Sequence, residues 1–290
     1  LLDPRQCEVA ILLRPGSNLW RIRDLMPRVQ VIEGDLTAPE SSADAIRRFA
    51  PDTLIHSAWY GVAGIHRNEA EQIHRNLEAT ASLVQLAARV GCRACVVLGS
   101  QAEYGPQNRR LDETAPTEPT TTYGVAKLCS YLLSRHLAKQ TGMRLAWVRI
   151  FSTYGPGDHP ECMIPQLIRA LYLRQRPALT AGEQRWDYLY VDDAAEAICR
   201  VAECGEGEGV FNLGSGQVET IRRVAEMIRD QIDPSLPLGL GDVPYRPDQV
   251  MYLQADIARL KAVTGWGPRT SLEEGLARTV ECSQWEEQIA

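Results

Sequence analysis

Two periodicities alternate along the chain. Short, nearly unbroken apolar runs are separated by longer stretches in which apolar positions recur every three or four residues. The first pattern predicts strands buried on both faces, and the second predicts amphipathic helices. Strands are expected at Cys7–Leu13, Val29–Leu36, Pro51–Ala58, Ala94–Ser100, Met143–Phe151 and Val210–Leu213, with a further apolar stretch at Tyr188–Val191. Helices are expected at Ser42–Phe49, Glu69–Val90, Gly124–Gln140, Ile164–Leu173, Asp193–Ala202, Thr220–Ile232 and Leu272–Cys282. In the helix after Glu69 the apolar phase is set by Ile73, Leu77, Val84 and Ala87. Strands alternating with helices imply an α/β fold, a doubly wound parallel sheet covered on both faces. Such sheets bind ligands at the carboxyl ends of their strands. Arg14, Asp35, His56, Ser100 and Ser152 all stand at or just past such ends.

Composition narrows the classes of function. The 290 residues are 44% hydrophobic and 23% charged, enough for a large core in one or two domains. A net charge of −6 with no basic run argues against a nucleic-acid partner. No apolar run approaches the ~18 residues of a membrane span, and no signal-peptide pattern stands at Leu1. The eight cysteines are scattered, unlike a secreted disulfide framework. Cys92 and Cys95 have CxxC spacing but no second pair and no nearby His, so they read as reduced structural thiols. No metal site is expected, and the expected compartment is the cytoplasm.

The chemistry centres on Thr120-Thr121-Thr122-Tyr123-Gly124-Val125-Ala126-Lys127. Four residues on a helix put Tyr123 and Lys127 on one face, one turn apart. A free phenol, with pKa ~10, is a poor acid or base near neutrality. A neighbouring ammonium favours the phenolate and lowers that pKa, so the pair can pass a proton to or from a substrate oxygen. A dinucleotide fold opens with a strand, a glycine-rich turn and a helix whose amino end takes the pyrophosphate. No such unit precedes Cys7, and Leu213-Gly214-Ser215-Gly216 has only two glycines and reads as a tight turn. The first strand and its glycine loop are therefore expected upstream of Leu1.

Further short motifs stand in a fixed order: Gly34-Asp35-Leu36, His56-Ser57-Ala58, Asn76, Gly99 to Gly105 around Ser100, Tyr123 to Lys127, Arg149 to Pro156, Asp187 to Asp193, Asn212 to Gly216, and Tyr245-Arg246-Pro247-Asp248. In that order and spacing the chain resembles the extended short-chain dehydrogenase/reductases, in particular the NAD(P)-dependent epimerase/dehydratase family acting on nucleotide-sugars. The resemblance implies a Rossmann-like core in residues 1–157 and 187–214, and a smaller, interleaved substrate domain in 158–186 and 215–290. It implies Tyr123 as general acid/base, Ser100 as the hydrogen-bond partner of the substrate oxygen, and Lys127 on the nicotinamide ribose. Asp35 and Leu36 would flank the adenine, with His56 and Ala58 also on the cofactor. Ser152, Arg185 and Arg246 would face substrate, Arg246 at the diphosphate, where a guanidinium fork suits phosphate oxygens. Ser152 replaces the family's frequent Asn, and Trp186 replaces its Arg, with Arg185 one residue earlier. The resemblance also implies a homodimer built on the helices Glu69–Val90 and Gly124–Gln140, with Leu83, Leu128 and Leu132 as the seam.

Three reactions share this scaffold. Dehydratases of the family place Asp-Glu directly after the Ser/Thr of the fourth strand, where this chain has Gln101-Ala102, so dehydration is disfavoured. Glu103 stands one position out. Between reduction and epimerisation, Arg14 weighs towards reduction. With the first strand of the dinucleotide fold upstream, Cys7–Leu13 is that fold's second strand, and an Arg at its end accommodates the 2′-phosphate of NADP, where an acid would bind the 2′-hydroxyl of NAD. The sequence thus favours NADPH-dependent reduction of a 4-keto group on a nucleotide-linked deoxysugar. A nucleotide-sugar 4-epimerase with bound NAD(P) is the alternative, and a non-catalytic dinucleotide-binding module is a third reading that Ser100, Tyr123 and Lys127 argue against.

Overall fold

The computed structural model describes residues 7–62, 64–246 and 249–289, with side chains as far as Ser283. The fold is α/β. One four-stranded sheet has the order Gly209–Leu213, Arg144–Ile150, Ala94–Ser100, Thr53–His56. The last two strands are parallel, with His56 opposite Val97. Ala10–Leu13 and Gln30–Glu33 form a separate parallel pair. Ala94–Ser100 is buried at every residue except Leu98, as an unbroken apolar run demands when both faces of a sheet are covered.

The chain forms two compact units. The first draws on Leu1–Gly99, Thr121–Trp147 and Val201–Gly209. In it the helices Glu71–Arg89 and Thr122–Thr141 pack against each other. The second of these helices starts where Thr121 Oγ1 accepts the Gly124 amide at 3.1 Å, and stops at Gly142, whose φ of +70° few other residues adopt. The first helix departs from its expected phase. Ile73 is 40% exposed, and the buried stripe begins instead with Gln72 and Asn76. Both amides turn inward because they hold the backbone of the loop after Thr53–His56: Asn76 Oδ1 accepts the Tyr60 amide at 2.8 Å, and Gln72 Nε2 donates to the Gly61 carbonyl.

The second unit draws on Ser100–Thr120, Val148–Arg200 and Val210–Ala290. Its core is built by the helices Met163–Tyr172, Ile221–Ile232 and Leu272–Ile289, which bury Leu167, Ile168, Leu171, Val224, Ile228, Leu276 and Val280. A smaller cluster of Tyr104, Leu111, Phe151, Leu253 and Ala255 lies beside short strands. Those strands run in the order Glu219–Thr220, Arg185–Trp186, Tyr252–Ala255, Arg110–Leu111. This unit also departs from the expected elements. The apolar stretch at Tyr188–Val191 is divided, a strand running to Tyr190 and a helix starting at Val191. A seven-residue helix, Ala258–Thr264, appears in the tail.

Candidate active site

In the first unit, Tyr123 is the second residue of its helix and is 8% exposed. Its amide donates to the Arg67 carbonyl at 2.8 Å, and the Thr122 amide donates to Asn68 Oδ1 at 3.2 Å. Lys127, one turn on, is buried. Its Nζ donates to the Leu98 carbonyl at 2.6 Å and stands 5.9 Å from the centre of the Tyr123 ring. The same ammonium lies 3.7 Å from the centre of the Trp59 ring, and Trp59 meets Tyr123 edge-on with centroids 6.1 Å apart. His56 Nε2 is 3.1 Å from Thr80 Oγ1. Burial, and secondarily Lys127, pull the His56 pKa down to about 4, so at neutral pH the imidazole is uncharged. Asp35 accepts the amide and hydroxyl of Thr37 at 2.9 and 2.8 Å. Those bonds, with a smaller contribution from Arg14, hold its carboxyl below the usual range. Leu36 is half-buried, while Arg14 and Ala58 are exposed.

In the second unit, Ser100 ends its strand and caps the turn that follows. Its Oγ accepts the Ala102 amide at 3.2 Å, and its own amide donates to Glu103 Oε1 at 2.9 Å. An Oγ that accepts from backbone keeps its proton for another acceptor. Glu103 Oε2 in turn accepts Arg149 Nε at 2.7 Å, and the two side chains are 0% and 3% exposed. The Arg149 guanidinium lies 4.4 Å from the centre of the Tyr104 ring, whose hydroxyl donates to Asn212 Oδ1 at 2.7 Å.

The same unit contains a cavity of about 720 Å³, large enough for a drug-sized ligand. Leu179, Thr180, Gln184, Trp186, Val243 and Arg246 are among the residues lining it. Arg185 is exposed and is not part of that lining; adjacent residues of a strand face opposite ways, and it is Trp186 that turns inward. Ser152 pairs with Tyr188 in a parallel ladder. Asp187, fully buried, accepts bonds from Ser215, Gly216 and Ala255, and burial pushes its carboxyl up. Pro247 and Asp248, the end of the Tyr245–Asp248 motif, lie outside the described residues.

Two contributors escape a reading of motifs. The capping arrangement of Ser100 and Glu103 has a sequence signal, Ser followed three residues later by Glu. Trp59 has none, because it reaches Lys127 across the fold. The thiols of Cys92 and Cys95 are buried and pushed up to about 11 and about 12, and no cluster of metal-binding side chains occurs among the described residues. No helix among those residues is long and apolar enough to cross a membrane.

A parallel α/β fold with a Tyr–Lys pair one helical turn apart defines an extended short-chain dehydrogenase/reductase. Residues 2–214 match the NAD dependent epimerase/dehydratase family, and the chain belongs to it. Among curated relatives, the UDP-glucuronate 4-epimerase of Thermodesulfobacterium geofontis (strain OPF15) is 25% identical over 272 residues, which span 91% of this chain and 83% of that protein. The dTDP-glucose 4,6-dehydratase of Streptomyces niveus is 27% identical over 273 residues, 91% of this chain and 78% of its own. A UDP-N-acetylglucosamine 4-epimerase from Methanobrevibacter ruminantium M1, solved in complex with UDP-N-acetylmuramic acid, shares the fold with a TM-score of 0.87 at 23% identity, covering 96% of this chain and 91% of that one. MoeE5 in complex with UDP-glucuronic acid and NAD superposes with a TM-score of 0.82 at 26% identity, with the same coverage of 96% and 91%.

Proposed function

We propose that this chain is a nucleotide-sugar 4-epimerase that works with a bound nicotinamide dinucleotide. The observation that carries the reading is the buried Lys127 ammonium one helical turn from Tyr123, in a member of an NAD-dependent family. The residues proposed to hold the cofactor are Lys127 for ribose hydroxyls, Asp35 and Leu36 at the adenine, and His56 and Ala58 along the remainder, and the buried Lys127 ammonium supports the first of these. Bound there, the dinucleotide supplies reversible hydride transfer at the sugar carbon. As the 4-hydroxyl is oxidised, its proton passes to the Tyr123 phenolate. The phenol returns that proton when the opposite face of the ketone is reduced, so a turnover consumes no net proton and no net reductant. The Ser100 hydroxyl holds the reacting oxygen, its proton left available by the Ala102 amide. Lys127 favours the phenolate that accepts the first proton and that is restored after the second transfer.

The 720 Å³ cavity is the proposed seat of the nucleotide, with Arg246 on the diphosphate. UDP-sugars are the first substrates to offer, since relatives with 4-epimerase names act on them. Dehydration is disfavoured: Gln101 and Ala102 supply no acid, and both Glu103 oxygens are engaged. The division of labour follows ligand, with the dinucleotide on residues 1–157 and 187–214 and the nucleotide-sugar on 158–186 and 215–290. The scatter of the eight cysteines, unlike a secreted disulfide framework, supports a reducing compartment, the cytoplasm. A second reading, NADPH-dependent 4-ketoreduction, is favoured by Arg14 directly after the strand Ala10–Leu13.

Tyr123→Phe removes the proton and keeps the ring. Turnover of a UDP-sugar into its 4-epimer, followed by chromatography, is expected to fall about 10²–10⁴-fold with dinucleotide affinity kept. Wild-type turnover in this variant would refute the assignment. Stoichiometric NADPH consumption on a 4-keto-6-deoxy nucleotide-sugar, without epimer formation, would replace epimerisation by reduction.

A further inference from the structure

Lys127 has a second neighbour besides the Leu98 carbonyl, and it is an aromatic face. We propose that Trp59 is a positioning residue that seats the Lys127 ammonium beside Tyr123. The inference rests on the reading of Tyr123 and Lys127 as the acid/base pair. The ammonium, in a side chain 4% exposed, lies 3.7 Å from the centre of the Trp59 ring. A buried cation needs compensating negative potential, and the face of an indole is the strongest that an aromatic side chain supplies.

The indole is itself held in place. Its Nε1 donates to Gln72 Oε1 at 2.9 Å, and that oxygen also accepts Asn76 Nδ2 at 3.1 Å. Gln72, 0% exposed, spends its amide hydrogens on the Gly61 and His66 carbonyls, at 2.6 and 3.1 Å. Gly61 has φ +74°, and a Cβ there would come within 2.6 Å of Gln72 Nε2, so the loop reaches this amide only with glycine. A rigid path thus runs from the helix Glu71–Arg89 through Gln72 and Trp59 to Lys127.

His56 is neutral near pH 7, so it adds no competing cation. Arg67, 5.8 Å from the Tyr123 ring centre, is exposed. Tyr123 is the group whose ionisation reports on Lys127. Removal of the indole face makes the ammonium less favourable and less fixed, and the phenolate loses part of its counter-charge.

The test is a spectroscopic titration that needs no substrate. Tyrosinate absorbance at about 295 nm is followed against pH, and the difference between each protein and its Tyr123→Phe partner isolates Tyr123. Trp59→Met fills the volume with a flexible apolar chain, while Trp59→Phe keeps a π face. The Tyr123 midpoint is expected to rise by about one pH unit in Trp59→Met and to stay within a few tenths of a unit in Trp59→Phe. An unchanged midpoint in Trp59→Met, or an equal rise in both variants, would overturn the proposal. Protein carrying ring-fluorinated tryptophan covers the case in which Trp59→Met does not fold. Fluorine drains the ring face at nearly constant shape, so the same upward shift is expected, and its absence overturns the proposal. Because the titration uses no nucleotide-sugar, a failure of the epimerase reading appears separately, as absent turnover in the wild type.

Discussion

The buried ion pair of Glu103 and Arg149 makes the sharpest claim about stability. Both side chains are essentially inaccessible, and one bond of 2.7 Å joins them. Glu103→Leu would leave the guanidinium against the Tyr104 ring with its carboxylate gone. Breaking such a pair costs about 3–5 kcal/mol, because the surviving charge stays desolvated. The Ser100 amide also loses its acceptor, a further ~1–3 kcal/mol. The two terms overlap, so a loss of roughly 4 kcal/mol is expected, a large part of the ~5–15 kcal/mol that holds a typical fold. Arg149→Met alone should also destabilise. The double replacement removes both charges and leaves chiefly the orphaned amide, so it should recover part of the summed loss. Urea denaturation of the wild type, both single variants and the double variant measures this, with a coupling of ~2 kcal/mol or more expected. Additivity to within about 0.5 kcal/mol, or a cost below ~1 kcal/mol for Glu103→Leu, would show that the pair is not buried as described.

Three other outcomes follow from the geometry. Burial pulls the His56 pKa down to about 4 in the fold, from the ordinary 6.5, so as pH falls the unfolded chain binds its proton first. Its contribution is intact above about pH 6.5 and is lost as pH falls towards 4, by ~3 kcal/mol over the window. The wild type should therefore lose more stability than His56→Gln between those pH values, and parallel denaturation curves would contradict it. Arg14→Asp should weaken NADPH far more than NADH in fluorescence titrations; equal loss for both would remove Arg14 from the 2′-phosphate. Light scattering at micromolar concentration should give a homodimer. Of the expected seam, Leu83 is buried within the chain, Leu128 is half-buried and Leu132 is exposed, as are Ile73 and Val125, so Leu132→Glu should yield monomer. A wild type that already runs as monomer would end that proposal.

What the sequence disclosed, and what it hid, follows the range of the interactions. Ala94–Ser100 was legible to the residue because its apolar run is unbroken. Tyr123 and Lys127 were legible because helical spacing alone puts them on one face. The strands Arg185–Trp186 and Tyr252–Ala255 were not, since a two- or four-residue strand is defined by its partner, here more than sixty residues away. Ile73 was misplaced for a related reason. An apolar residue at helical spacing competes with Gln72 and Asn76 for the inner face, and only the loop at Tyr60 and Gly61 decides the contest. Glu103 announced its cap through local spacing but not Arg149, 46 residues further on. Trp59 was silent altogether.

The family match ends at residue 214, but the carboxylate of Asp187 does not find its partners there. It accepts the amides of Ser215 and Gly216 and the amide of Ala255, which belong to segments made later on the ribosome. Without those donors a fully buried carboxylate would be left unsatisfied. The burial of Asp187 therefore ties the matched region to chain that lies beyond it. A fragment cut at 214 would keep the whole family match and still lack the donors that Asp187 needs.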